Sequence, residues 1–290
     1  MGLQISDIIP RKQIMLKDLK GKIICVDAYN AIYQFLTTIR QPDGTPLQDS
    51  KGRITSHLSG LLYRNTNLLA EGIKLVYVFD GKPPELKGGT NIKRAERKEE
   101  AKEKYERARE EEDVEEMRKY SGRMIHITKE IVEESKELLE AMGIAIVQAP
   151  SEGESQASHL ARIGEAWGVG SQDYDSLLFG TPRLIQNLTL AQKRKTISGY
   201  VPVFPEMIEL EKVLNHLGIN MEQLICLGIL SGTDYNPGGI KGIGQKKALQ
   251  IVKQHQQPVL IFRSVEKQMI DMEIEGKGFN WKEIFEMFKK

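Results

Sequence analysis

Four short apolar runs in this chain end in carboxylates or lead directly into them. They are KIICVD (Lys22–Asp27), KLVYVFD (Lys74–Asp80), IAIVQAP (Ile144–Pro150, followed by SEGES) and WGVGSQD (Trp167–Asp173). Each is short and rich in Val, Ile and Leu, the pattern of a strand buried on both faces. RLIQNL (Arg183–Leu188) has the same character. Helical patterns separate the runs, among them SHLSGLLYRNTNLLAEG and TKEIVEESKELLEAMG. In the second, Thr128 is placed to cap the start and Gly143 to stop the end. Strands alternating with helices specify an α/β fold with a mainly parallel central sheet, flanked by helices on both faces. The C-terminal third, with FPEMIELEKVLNHLG, NMEQLICLGILSG and GQKKALQIVKQH, reads as helical.

In a parallel sheet the carboxyl ends of the strands share one edge, where ligands bind. Asp27, Asp80, Glu152, Glu154, Asp173 and Asp175 fall there, and Asp234 follows an apolar helix in GILSGTDYN. A single Asp at a strand end is ordinarily a turn residue or a helix cap. Capping does not explain the set, because it would draw on Ser, Thr and Asn as well. In SQDYD, an extended pleat puts Asp173 and Asp175 on one face and turns Tyr174 away. Carboxylates so gathered repel and raise one another's pKa, and cations relieve that. A donor set without His or thiolate selects hard ions such as Mg²⁺ or Mn²⁺. The number of acids suits two ions about 4 Å apart, the arrangement used for in-line displacement at phosphorus. No paired-His motif, Gly-x-Ser-x-Gly elbow or Walker A sequence is present.

The 290 residues, long for one domain and short for two, carry a net charge of only +1. Overall charge therefore points to no partner, and any nucleic-acid affinity has to come from local patches. The segment Leu86–Met124 is dense in Lys, Arg and Glu and nearly free of large apolar residues. Taken alone, a solvated helix laced with i,i+4 ion pairs accounts for it. Its first part nonetheless places Lys87, Lys93, Arg94, Arg97 and Lys98 ahead of most of the acids. A helix with no apolar stripe has nothing to pack on and projects from the body. The second patch is GIKGIGQKKALQIV (Gly239–Val252). Its Gly-rich turn, the helix N-terminus and Lys241, Lys246 and Lys247 suit a phosphate. An ordinary helix–helix turn with exposed lysines explains it equally well in isolation. A dinucleotide loop is excluded because no strand precedes it. Cys25 and Cys226 lie in apolar surroundings, which favours buried free thiols and an intracellular protein. No secretory signal pattern or run of the ~20 apolar residues needed to span a bilayer occurs, so no membrane partner is expected.

The motifs VDAYNAIYQFL, VFDGKPPELK, APSEGESQA, SQDYDSLLFG and GTDYNPGGIKGIG run in this order to about Val252. Together they resemble the flap endonucleases, structure-specific 5′ nucleases of replication and repair, and most of all the archaeal members. The resemblance implies a PIN-like 5′-nuclease fold forming a single nuclease domain over 1–290. It implies a charged helical arch at 82–128, through which a single-stranded 5′ flap passes. A helix–two-turn–helix element at 220–265 would grip duplex DNA, with a K⁺ bound there. Asp27, Asp80, Glu152, Glu154, Asp173, Asp175 and Asp234 match the family's ligands for two Mg²⁺ ions, with Mn²⁺ able to substitute. Lys87 and Arg94 match the pair that contacts the scissile phosphate. Tyr33 matches an aromatic that stacks on a nucleobase, and Gly2 a residue close to the site. Lys93, Arg97, Gly239, Lys241, Gly242, Gly244, Lys246 and Lys247 complete the implied DNA-binding set.

The implied activity is cleavage of branched DNA near the single-strand/duplex junction, with 5′–3′ exonuclease activity, in Okazaki-fragment processing and repair. The implied partners are flap, nicked or gapped duplex and pseudo-Y DNA, for a monomer in the cytoplasm or nucleoid. A sliding clamp is a partner of the family, yet this chain stops at FEMFKK rather than a Gln-x-x-Leu-x-x-Phe-Phe-like tail. Other readings are a PIN-type ribonuclease, which would lack the arch and the hairpin, and a junction-resolving nuclease of the same superfamily. A non-catalytic DNA-binding scaffold would need only a few of the carboxylates.

Overall fold

The apolar runs do become parallel strands, and the acids follow where those strands stop. The computed structural model describes residues 3–41, 44–82, 84, 100–101, 103–107, 116, 120, 125–190, 193–196, 199–274 and 278–289. In chain order the elements are β1 (Lys12–Gln13), β2 (Ile23–Asp27), α1 (Ala28–Thr38), α2 (Ser56–Ala70), β3 (Lys74–Phe79), α3 (Lys129–Ala141), β4 (Ala145–Gln148), α4 (Gly153–Arg162), β5 (Gly168–Gly170) and α5 (Asp175–Leu178). They continue as β6 (Arg183–Gln186), β7 (Lys193–Thr196), β8 (Gly199–Pro202), β9 (Glu206–Glu209), α6 (Leu210–Leu217), α7 (Met221–Ser231), α8 (Gln245–Gln254), α9 (Pro258–Arg263), α10 (Glu266–Ile274) and α11 (Trp281–Lys289).

These elements form two compact units. One comprises residues 15–153 and 189–203. Its strands β2, β3 and β4 pair in parallel, with Asp27 opposite Val78 and Phe79 opposite Gln148. Asp27 and Asp80 thus stand at the carboxyl ends of adjacent strands. The core is built from Ile24, Val26, Ile32, Phe35, Leu61, Leu68, Tyr77 and Leu139, all at most 2% exposed. Helices α1 and α2 approach closely because α2 carries Gly60: a Cβ there would lie 2.2 Å from Phe35 Cγ. The α3 signals hold, since Thr128 accepts the Ile131 N–H and Gly143 takes φ +72°. Strands β7 and β8 form an antiparallel hairpin of their own.

The other unit comprises residues 1–14, 154–188 and 204–290. Here β5 and β6 are parallel, while β9 pairs antiparallel with both β6 and β1. Helix α7 is its centre, with every residue from Gln223 to Leu230 buried. Gly228 on α7 admits the side chain of Leu178, whose Cδ1 would be 2.7 Å from a Cβ at that position.

Two expectations are corrected, and one hairpin had no sequence signal. The run WGVGSQD stops being a strand at Gly170, so the pleat does not place Asp173 and Asp175. EMIE at the head of FPEMIELEKVLNHLG is strand β9, not helix, because Ile208 is drawn into register opposite Leu184. The hairpin of β7 and β8, rich in Lys and Arg, gives no apolar alternation by which it could be read.

Candidate functional site

The turn that follows β5 brings two of the acids together. Asp173 Oδ1 accepts the N–H of Asp175 at 3.2 Å, and the Asp173 N–H donates to Ser171 Oγ at 3.1 Å. This local hydrogen bonding, which Asp and Ser favour in turns, does what the pleat was expected to do. Asp175 then opens the short helix α5. Tyr174 points elsewhere, its hydroxyl donating to Gln186 Oε1 at 3.2 Å. Glu154 enters from the first turn of α4. Carboxylate oxygens of Glu154, Asp173 and Asp175 lie within 4.8 Å of one another.

Asp175 is 2% exposed. Burial first, then the charge of Asp173, pushes its carboxyl well above the ordinary range, and Asp234 adds to the effect. Two backbone donors work against that rise. Leu3 N–H donates to Asp175 Oδ1 at 2.8 Å, and Asp234 N–H donates to Oδ2 at 3.3 Å. Asp234 is itself held in a tight loop. Asn236 Oδ1 accepts from the Thr233 N–H and hydroxyl, while Asn236 Nδ2 donates to the Ile229 carbonyl at 2.7 Å.

The three clustered acids fit a hard divalent ion. Oxygen ligands about 2.1 Å from Mg²⁺ stand up to about 4.2 Å apart across it, and the ion retains waters that cover wider gaps. Without ions the raised folded pKa of Asp175 has a defined consequence. The unfolded chain releases that proton first, so stability present at low pH is lost as pH rises through the raised value.

In the unit holding β2 to β4, Asp27 ends its strand and also caps α1, accepting the Asn30 N–H at 3.0 Å. Asp80 Oδ1 accepts the Gly153 N–H at 2.5 Å. Only glycine allows that approach, since a Cβ at 153 would be 2.8 Å from the same oxygen and 3.0 Å from the Val78 carbonyl. Gln148 Nε2 steadies the same strand end, donating to the Asp80 carbonyl at 2.7 Å. Glu152 and Glu154 flank Gly153 directly in the chain. Tyr33 lies on α1 with its side chain 45% exposed. Gly2, Lys87, Lys93, Arg94 and Arg97 lie outside the described residues.

The Gly-rich segment is a helical hairpin. Helix α7 enters, α8 leaves, and Gln223 near the start of α7 donates to the carbonyls of Val252 and His255 at the end of α8. Gly239 and Gly242 take φ of +59° and +79° in the turn. Ile240 and Ile243 anchor the turn in the core, while Lys241, Lys246 and Lys247 face solvent. Gly244 caps α8 without a side-chain bond to its first turn. An acid is also near, because Gln245 Nε2 donates to Asp7 Oδ2 at 2.8 Å.

Comparison with known proteins agrees with this geometry. The XPG N-terminal domain matches residues 3–101 and the XPG I-region residues 143–234. Flap endonuclease 1 of Aeropyrum pernix is 54% identical over 286 residues, covering 97% of this chain and 82% of that protein. The chain belongs to the flap endonuclease family. Its Pyrococcus furiosus relative, also a flap endonuclease 1, is 58% identical over 265 residues, covering 91% of this chain and 78% of the relative. The flap endonuclease-1 structure from Methanococcus jannaschii superposes with a TM-score of 0.75 at 44% identity, covering 99% of this chain and 84% of that one. The catalytic core of Rad2 in complex with DNA superposes at 0.67 with 25% identity, covering 100% and 79%. This flap endonuclease is a structure-specific 5′ nuclease of replication and repair, with the expected α/β fold and mostly parallel central sheet.

Sequence reasoning missed the residues that hold the acids in place. The Leu3 N–H is a backbone group with no side-chain signature. Ser176, which donates to Glu154 Oε1 at 2.6 Å, is visible in DYDSLL as a hydroxyl beside a carboxylate, although nothing there shows its direction.

If repulsion dominates the ion-free cluster, Asp173→Asn relieves it while its amide oxygen still accepts the Asp175 N–H. The ion-free variant should melt higher than the parent by about 2 °C or more, and the gain in melting temperature on adding Mn²⁺ should shrink. An ion-free variant that melts lower, with an unchanged Mn²⁺ gain, would show that the cluster is not strained by charge.

Proposed function

We propose that this flap endonuclease hydrolyses a phosphodiester next to a single-strand/duplex junction with two divalent ions, Mg²⁺ by preference and Mn²⁺ as a substitute. The observation that carries the reading is the Glu154, Asp173 and Asp175 cluster, with its oxygens within 4.8 Å of one another. When bound, such ions supply an activated water for in-line attack and neutralise the leaving 3′ oxygen. The protein's part is to hold the carboxylates ready. Asp175 is fixed by the Leu3 and Asp234 N–H groups and Asp173 by its turn. Asp27, Asp80, Glu152 and Asp234 are assigned to the ligand set on the family resemblance, as is a K⁺ at the hairpin.

Lys87 and Arg94, assigned the same way, offset charge on the non-bridging oxygens. The exposed ring of Tyr33 offers a face on which a base can stack. The hairpin of α7 and α8 binds duplex backbone without reading sequence, through Lys241, Lys246, Lys247 and the N–H groups of its turn. One nuclease domain with a charged arch at 82–128, acting as an intracellular monomer, completes the proposal. Cys25 and Cys226, both buried free thiols, accord with a reducing compartment. Among the described residues no single helix is long and apolar enough to cross a membrane.

The test is cleavage of a 5′-labelled flap, a nicked duplex, a four-way junction and single-stranded RNA, each with Mg²⁺ or with EDTA. The flap should be cut preferentially near its junction and only with the ion. Preference for the four-way junction would make the chain a resolving nuclease instead. Asp173→Asn should lower the cleavage rate by about 1,000-fold, since several kcal/mol of charge stabilisation is lost and each ~1.4 kcal/mol is tenfold. Flap affinity in EDTA should hardly change, whereas equal loss of binding would indicate a structural role.

The hairpin assignment is tested through salt. Replacing Lys241 and Lys246 together by Ala should weaken binding to duplexes of any sequence and flatten the dependence of affinity on salt by about two phosphate contacts. An unchanged slope would remove the hairpin from the DNA-binding surface.

A further inference from the structure

Two buried hydroxyls bond to Glu154, and a third backs one of them. Ser176 Oγ donates to Glu154 Oε1 at 2.6 Å. Ser158 Oγ donates to the Glu154 carbonyl at 2.7 Å, and Thr181 Oγ1 donates to Ser158 Oγ at 2.7 Å. All three residues are 0% exposed. Each hydroxyl carries one proton, and the sequence from Thr181 to Ser158 to the backbone uses each proton once. Buried hydroxyls are costly unless so satisfied. The chain from Thr181 holds the backbone of Glu154, whereas Ser176 acts on its carboxylate.

The two actions differ in consequence. A backbone fixed at Glu154 still leaves its last side-chain torsion soft, because rotation about an sp³–sp² bond is broad and roughly two-fold. The Ser176 bond removes that freedom. It is short and donated to a charged acceptor, the stronger class of hydrogen bond. It also takes one of the two lone pairs on Oε1, so symmetric two-oxygen ligation would have to share that oxygen between the hydroxyl and the ion, which favours Oε2 as the ligand atom. Ca²⁺ commonly takes carboxylates through both oxygens and accepts six to eight ligands at ~2.3–2.6 Å, while Mg²⁺ demands near-octahedral geometry at ~2.1 Å.

We propose that Ser176 is a positioning residue that holds Glu154 to one-oxygen ligation and so favours a small octahedral divalent ion over Ca²⁺. The inference rests on the reading of Glu154, Asp173 and Asp175 as ion ligands. It also explains why the hydroxyl sits where it does. Ser176 follows Asp175 in the same four-residue helix α5, so one element both carries a ligand and orients another. A shift of α5 would disturb both carboxylates at once.

The experiment is direct ion binding by the full chain, without DNA. Bound Mn²⁺ is read from the loss of the free-ion paramagnetic resonance signal, and Mg²⁺ and Ca²⁺ are then titrated as competitors. Ser176→Ala should weaken Mn²⁺ binding about tenfold or more, the usual effect of losing a hydrogen bond to a metal ligand. The variant should also let Ca²⁺ compete better relative to Mg²⁺. Ser176→Thr, which keeps the hydroxyl, should restore both. Thr181→Val, which leaves the Ser176 bond in place, should lower the melting temperature while keeping the Ca²⁺-to-Mg²⁺ ratio of the parent. A folded Ser176→Ala protein with the parent's ratio overturns the proposal, as does an equal loss for both competitors. Should Ser176→Ala not fold, the Thr variant decides: failure to keep the parent's ratio overturns the proposal. Absence of Mn²⁺ binding in the parent would overturn the metal-site reading as well, so the two failures are distinguishable.

Discussion

Asp175 is buried with Asp173 and Asp234 beside it, and like charges so placed repel. Everything around that residue acts to contain the repulsion. The N-terminal segment contributes the Leu3 N–H, and the loop after α7 contributes the Asp234 N–H. That loop is stiffened in turn by the Asn236 amide, which spans from Thr233 to the Ile229 carbonyl. Backbone donors offset the cost of a buried carboxylate only in part, and the proposed divalent ions would supply the rest. On the proposed reading, acids that would weaken the fold alone become a site whose stability and chemistry both depend on cations.

Much of this was legible in the chain, for reasons that can be named. β2, β3 and β6 match their apolar runs to within a residue or two because burial on both faces leaves no polar positions to confuse the pattern. Helix α3 matches because its cap and stop are local chemistry. The acids at 27 and 80 were found because a parallel sheet sends strand ends to one edge. By contrast, β5 is only three residues long, and Ser171 and Asp173 use side-chain hydrogen bonds to turn the chain before the pleat could reach Asp175. The conclusion that the two carboxylates sit together survived, although its stated cause did not.

Other features were hidden because they depend on distant partners. Met207, Ile208, Leu210, Val213 and Leu217 fit a helical stripe. The first two are nonetheless strand, since β9 lies between β6 and β1 and its pairing outweighs local preference. The Leu3 N–H and the carbonyl contacts of Gln148 and Gln223 are interactions with backbone, which no residue-type pattern reveals. The hydroxyls around Glu154 are ordinary residue types whose role is set by the hydrogen bonds that bring Ser176 to its carboxylate and Ser158 to its carbonyl. The hairpin of α7 and α8 lies between these cases: its glycines announce a turn, and its lysines acquire meaning only beside a phosphate-cutting site.

Where cations bind decides whether Glu154, Asp173 and Asp175 form a metal site. Crystals grown or soaked with Mn²⁺ and measured at its absorption edge would locate them by anomalous scattering. A peak coordinated by Glu154, Asp173 and Asp175 is expected, with Glu154 bound through a single oxygen and Ser176 still donating to its carboxylate. Crystals saturated with Mn²⁺ that show no peak at these three residues, or ions held only elsewhere, would contradict the metal-site reading.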